Sequence, residues 1–147
     1  MLTGKVSPTY RCVLDTNVVL DLLHFADPVA SPLLAAVEAG RVCCFADAAS
    51  LDELSRVVAY PEFGMSAAAG TALVERYGRL VSRIAPGEVP KLPRCRDRDD
   101  QKFLELACRS QADLLVSKDN ALLRLKGRTN LAFRIVTPAG AVACLGA

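Results

Sequence analysis

Apolar residues fall along this chain in two patterns. Short continuous runs alternate with longer segments in which apolar positions recur every three or four residues. The runs RCVLD (11–15), RVCCFA (41–46), RIA (83–85), DLLVS (113–117) and FRIV (133–136) have the length and composition of strands. Between them, Leu73, Tyr77, Leu80, Val81 and Ile84 predict a helix over 66–84. Phe103, Leu104 and Ala107 predict another on the segment opened by Asp99 and Asp100, and Leu51, Leu54, Val57 and Val58 mark a third, closed by Pro61. Strands that alternate with helices, and are apolar throughout rather than at every second position, imply a parallel sheet covered on both faces. The predicted class is α/β, with about five strands.

In open parallel sheets ligands bind beyond the carboxyl ends of the strands, so residues just after each run are the ones to inspect for chemistry. In VLDTNVVLDLL (13–23) the first run ends on Asp15, followed by Thr16 and Asn17 and a helix beginning at about Asn17. In DLLVSKDNALLRL (113–125) the fourth run ends on Ser117, Lys118 and Asp119. Each acid can be read as a helix cap, a common task for Asp. If their strands are neighbours, the two acids also emerge at one edge. CRDRDDQKFLELA (95–107) gathers Asp97, Asp99 and Asp100 before an apolar stripe. Acids in a first helical turn complement the helix dipole. Asp99 has the better spacing for a cap, whereas Asp100 shares the inward face of Phe103 and Leu104. Glu53 is either the far end of a capping box, Ser50-x-x-Glu53, or, if its helix begins at Asp47, a mid-helix acid turned toward the sheet edge.

Carboxylates brought together without a counter-charge repel, and their pKa values rise until some are protonated. A divalent cation resolves the conflict. An all-oxygen ligand set suits Mg²⁺ or Mn²⁺, which retain positions for water and a phosphate. Such a site predicts phosphodiester hydrolysis, with one metal generating the nucleophile and a second, about 4 Å away, stabilising the leaving oxygen.

Composition narrows the setting. With 147 residues, 52% of them hydrophobic, the chain has material for one globular domain over 1–147. Six cysteines without a CxxC pair and a single histidine, His24, make a zinc site improbable, and most of the thiols are expected as small buried hydrophobes. No signal peptide or membrane span is visible in the start MLTGKVSPTY or in the run from Val18 to Leu23, which Asp21 interrupts. Reduced thiols then make the cytoplasm the expected location. A net charge of +2 does not announce a nucleic-acid binder, but its distribution is uneven. From Lys91 onward 11 Lys+Arg face 6 Asp+Glu, a local +5, against 7 and 10 before it, a local −3.

The motifs taken in order are more specific than any single acid. VLDTNVVL (13–20), DELSRVVAYPEFG (52–64), DRDDQKFLELA (97–107), ADLLVSKDNALL (112–123) and RIVTPAGAV (134–142) together resemble the PIN domain family, of the branch described as toxins of bacterial toxin–antitoxin systems. The resemblance extends over nearly the whole chain. It implies an α/β/α sandwich with a central parallel sheet and metal-dependent cleavage of single-stranded RNA. It also implies that Asp15, Glu53, Asp100 and Asp119 form an acidic quartet binding Mg²⁺ or Mn²⁺, with Asp97 as a further ligand or a supporting group. Thr16, Asn17 and Ser117 would steady the carboxylates through hydrogen bonds. Where the family usually has threonine, Ser117 keeps the hydroxyl; Ala48 stands where a hydroxyl residue is common.

A carboxylate site repels RNA until metal is bound, so basic residues at its rim should guide phosphates. Arg94, Arg96, Arg98, Lys102 and Lys118 lie beside the proposed ligands in sequence, although a solvated basic face has the same composition. The segment 66–84 and the tail TPAGAVACLGA (137–147) could bury a homodimer surface or accept an antitoxin, and core packing explains both equally well. Two rival readings remain at this level: a non-catalytic RNA- or protein-binding module of the same fold, whose acids are caps, and a metal-dependent phosphatase or DNA nuclease.

Overall fold

A computed structural model of the chain describes residues 10–127 and 131–146. The first nine residues, in the stretch read for a signal peptide, and the last residue of the small-residue tail lie outside the described residues. Continuous apolar runs become strands because a sheet covered on both faces buries both sets of alternating side chains. The strands are β1 (Tyr10–Leu14), β2 (Val42–Ala46), β3 (Val81–Arg83), β4 (Leu114–Val116) and β5 (Arg134–Val136). They form one sheet in the order β3-β2-β1-β4-β5, and every neighbouring pair is parallel. Cys12 lies opposite Cys44 on one side and Leu114 on the other, and Leu14 lies opposite Val116.

The helices are α1 (Thr16–Leu23), α2 (Ser31–Glu38), α3 (Ala48–Val57), α4 (Ala67–Leu80), α5 (Gln101–Arg109), α6 (Asn120–Leu123) and α7 (Pro138–Leu145). Alternate strand residues divide between two cores. Cys12, Leu14, Cys44, Ala46, Leu114 and Val116 pack with Leu20 of α1, Leu33 of α2, Leu54 of α3, Leu73 of α4 and Ala141 of α7. Val13, Phe45, Leu115 and Ile135 point the other way, onto Phe103, Leu104 and Leu106 of α5 and Leu122 of α6. This is a three-layer α/β/α sandwich. Leu104 and Leu115 have no exposed surface, so truncating either to alanine would cost about 2–5 kcal/mol.

The boundary around residue 81 differs from the sequence pattern. Leu80, Val81 and Ile84 continue the helical spacing of α4, yet the helix stops at Leu80 and Val81 opens β3, two residues before the expected strand. The open edge of β2 supplies the reason. Val81, Ser82 and Arg83 pair in parallel with Cys44, Phe45 and Ala46, and those backbone bonds outweigh another helical turn. α1 begins one residue earlier than expected, at Thr16, because Asp15 is its cap.

Cys12, Cys44 and Cys95 are buried, while Cys43, Cys108 and Cys144 are partly so, and all six are free thiols. Burial pushes the Cys12 thiol up to about 12, consistent with an inert core residue. Among the described residues no helix is long and apolar enough to cross a membrane.

Candidate metal centre

From β1 the chain winds outward through β2 to β3, then crosses back to β4 and winds the other way to β5. The order therefore reverses between β1 and β4, and a crevice opens at their carboxyl ends. Asp15 follows β1 directly, and Ser117, Lys118 and Asp119 follow β4. The Asp15 amide extends the ladder by donating to the Val116 carbonyl at 3.1 Å, which fixes the two strand ends against each other.

Asp15 is 4% exposed. Its Oδ1 accepts from the Val18 amide at 3.0 Å, capping α1, and its Oδ2 accepts from the Ser117 hydroxyl. Burial pushes its pKa up to about 6. The Ser117 and Val18 hydrogen bonds oppose that rise, and the nearby negative charge of Asp119 adds to it. The Ser117 oxygen also accepts from the Asp119 amide at 2.9 Å. One buried hydroxyl thus ties together the acids that end β1 and β4. Asp119 caps α6 as well, accepting from the Ala121 amide at 2.8 Å.

The second set of acids comes from the turn before α5. Asp97 Oδ1 accepts from the Asp99 amide at 2.9 Å, so Asp97, not Asp99, caps the short 3-10 turn Arg98–Asp100. Asp99 is exposed. Its spacing suited a cap, but the tight turn brings its own amide, not its carboxylate, into the bond. Asp100 ends that turn with its carboxylate aimed inward, and its Oδ2 is buried with no donor. One carboxylate oxygen from each of Asp97, Asp100 and Asp119 lies within 4.8 Å of the other two. As ionised groups Asp100 and Asp119 can offer each other only acceptors. A proton on Asp100 converts that clash into a hydrogen bond. Burial, the bond to Asp119 and the charges of Asp119, Asp97 and Asp15 hold the Asp100 pKa well above the carboxylate range, while the bond from Asp100 lowers that of Asp119.

Glu53 stands apart from this trio. α3 is capped by Asp47, whose Oδ1 accepts from the Ser50 amide at 2.9 Å while the Ser50 hydroxyl accepts from the Asp47 amide at 3.0 Å. That reciprocal pair replaces a Ser50–Glu53 box. Glu53 is mid-helix, and its two oxygens accept from the Thr16 hydroxyl and the Lys102 ammonium. Asn17, by contrast, is exposed on α1 and makes no side-chain hydrogen bond among the described residues. Position 17 is the second residue of α1.

The basic residues divide in the same way. Lys102 is held by Glu53, and Lys118 pairs at 2.7 Å with Asp21, an acid 6% exposed on α1. Arg94, Arg96 and Arg98 are exposed, and no carboxylate of the described residues pairs with them. Two supporting contacts have little or no sequence signal. Arg109 donates to Asp47 at 2.5 Å, joining the end of α5 to the start of α3; the Asp47-x-x-Ser50 spacing suggests the cap but not the arginine. Gln101 accepts from the Cys95 amide at 2.7 Å and donates to the Pro93 carbonyl at 3.2 Å. Its partners are backbone groups, which leave no trace in residue types.

The PIN domain family matches residues 11–121, three quarters of the chain and every acid described above. The chain belongs to the PIN domain family. PIN domains are generally nucleases and typically use divalent metals. No curated protein matches the chain. The donor set of this PIN domain fits such an ion: it is all oxygen, Asp100 Oδ2 is buried without a donor, and like charges are crowded enough to bind a proton where a cation would serve. Asp97, Asp100 and Asp119 would hold it, with Asp15 alongside, since each Asp15 oxygen keeps a lone pair beyond its one hydrogen bond. Glu53 lies outside this trio, and its two oxygens, each also keeping a lone pair, are shared with Thr16 and with the Lys102 cation, which competes with a metal for the carboxylate charge.

Proposed function

We propose that this PIN domain is a Mg²⁺- or Mn²⁺-dependent endoribonuclease that hydrolyses phosphodiester bonds of single-stranded RNA. The observation that carries the reading is the cluster of carboxylate oxygens from Asp97, Asp100 and Asp119 within 4.8 Å of one another, in which Asp100 keeps a buried, donorless Oδ2, at the switch point of the sheet. A bound divalent ion would polarise the phosphate and supply a hydroxide nucleophile at neutral pH. The chain's own groups then have distinct tasks. Ser117 and the α1 amide of Val18 fix the Asp15 carboxylate, Thr16 fixes Glu53, and the turn Arg98–Asp100 presents Asp100 and Asp97 from the opposite wall. Arg94, Arg96 and Arg98 at the rim offer charge to the substrate backbone.

The resemblance to toxin-branch PIN domains supports a further assignment: a cytoplasmic toxin that an antitoxin protein holds inactive, with a homodimer as its working form. One observation favours a second reading. Glu53 already has a resident cation in Lys102, so a non-catalytic RNA-binding module could keep this arrangement without metal. Cleavage of a labelled, mixed-sequence single-stranded RNA with Mg²⁺, Mn²⁺ or chelator, beside Asp15→Asn, separates the two. The nuclease reading expects metal-dependent cutting that the variant loses. RNA binding with no cutting under any metal refutes it in favour of the module, and preferential cutting of single-stranded DNA reassigns the substrate.

A further inference from the structure

The surroundings of the acid cluster are asymmetric in charge. On the Asp97 side lie two adjoining depressions. One, of about 530 Å³, is lined by Asp97, Asn120 and three arginines, Arg96, Arg98 and Arg124; the other, of about 580 Å³, continues past Arg96 and Arg98 to Arg94. Among the described residues none of these four guanidinium groups pairs with a carboxylate. Arg124 enters this set only through the fold. It lies four residues beyond Asn120, on the same side of α6, the helix capped by Asp119. The loop carrying Arg94 and Arg96 is fixed, because Gln101 clamps its backbone at Pro93 and Cys95 and the Cys95 side chain is 6% exposed.

The Glu53 side is different. There a groove of about 640 Å³ holds Arg83, Lys102 and Arg109, and among the described residues only Arg83 lacks a carboxylate partner: Lys102 is committed to Glu53 and Arg109 to Asp47, and Glu105 adds a further negative charge, so one unpaired guanidinium stands here against four on the Asp97 side. An unpaired guanidinium on a held backbone binds phosphate at little cost in desolvation or ordering, whereas a cation already neutralised has little to give.

We infer that the arginine-lined depressions form an extended phosphate subsite that grips the polynucleotide on the Asp97 side of the scissile bond, with Arg124 as one of its cations, and that the Lys102 side contributes no comparable grip. This deepens the RNA reading above and rests on it for the nature of the ligand.

Equilibrium binding tests the inference without catalysis. Anisotropy of a fluorescein-labelled, mixed-sequence 14-nucleotide RNA would be read in chelator over a series of salt concentrations, using the full chain in reducing buffer. Each phosphate contact on a single strand adds about 0.7 to the slope of log affinity against log salt. Arg96→Ala/Arg124→Ala should weaken binding at least about tenfold and reduce that slope by about 1.4, while Arg83→Ala, which removes the one unpaired cation of the other groove, should reduce it by no more than about 0.7. Arg96→Lys/Arg124→Lys should restore the slope, which a merely structural pair of arginines would not. An unchanged slope in the double alanine variant, or an equal fall in Arg83→Ala, overturns the subsite. Metal-dependent cleavage by the same proteins separates the two readings. A wild type that binds with this pattern yet cuts nothing keeps the subsite and refutes the nuclease; one that cuts while the double variant binds normally overturns the subsite alone.

Discussion

Without metal, the stability of this protein should fall as pH rises through the range in which Asp15 ionises. The Asp15 carboxyl is nearly fully buried, and burial raises its folded pKa from an ordinary 3.8 to about 6. The folded state therefore binds this proton more tightly than the unfolded chain does. The stability that neutral Asp15 contributes is complete below pH 3.8 and is lost as pH climbs through about 6. A gap of about 2.2 pH units corresponds to about 3 kcal/mol, of which about 2 kcal/mol falls between pH 4 and pH 7. Asp15→Asn keeps a neutral cap for α1 and removes the titration. Urea denaturation of both proteins at pH 4 to 8, in chelator with reductant for the six thiols, should give a stability difference that grows in favour of the variant by about 2 kcal/mol over that range. Asp100 pulls the wild type in the same direction at higher pH, so the total fall should exceed this figure. A difference flat within about 0.5 kcal/mol between pH 4 and 7 would refute the view of Asp15 as an unfavourably buried charge.

Three further outcomes are expected. Asp100→Asn should leave the chelated protein as stable or raise its Tm, and should abolish the stabilisation by Mg²⁺ or Mn²⁺, which for the wild type at 100 times Kd is about 2.7 kcal/mol; a retained metal-induced shift in Tm would place the ion elsewhere. Ser117→Ala removes the donor to Asp15 Oδ2 and the acceptor for the Asp119 amide, so urea melts at pH 7 should show a loss of about 2 kcal/mol, and a loss under about 0.5 would make that hydroxyl incidental. Glu53→Gln keeps one carbonyl oxygen to accept from Lys102, and its amide can donate to the Thr16 hydroxyl, which turns to accept, so its melting curve should stay within about 1 kcal/mol of wild type while RNA cleavage disappears; undiminished cleavage would leave Glu53 a scaffold residue.

The sequence by itself determined the α/β class, the succession of the five strands and the acids that end β1 and β4, because these follow from local rules; it left α2 and α7 unassigned. Continuous apolar runs mean strands buried on both faces, and an acid after such a run stands at a parallel sheet's ligand-binding edge whatever else it does. The PIN motifs carried the resemblance for the same reason: they are short segments of fixed spacing. Tertiary structure decided everything that depends on which segments meet. The helical spacing of Leu80, Val81 and Ile84 gave way at Val81 because β2 offered an unpaired edge. Asp97 rather than Asp99 became the cap through the geometry of one tight turn. Glu53 could be a capping acid or a mid-helix acid on spacing alone, until Asp47 took the cap and Lys102, 49 positions away, took Glu53. The single hydroxyl joining Asp15 to Asp119 spans 102 positions. Long-range hydrogen bonds and ion pairs are selected by distance and desolvation in the folded chain, and residue type along the sequence records neither.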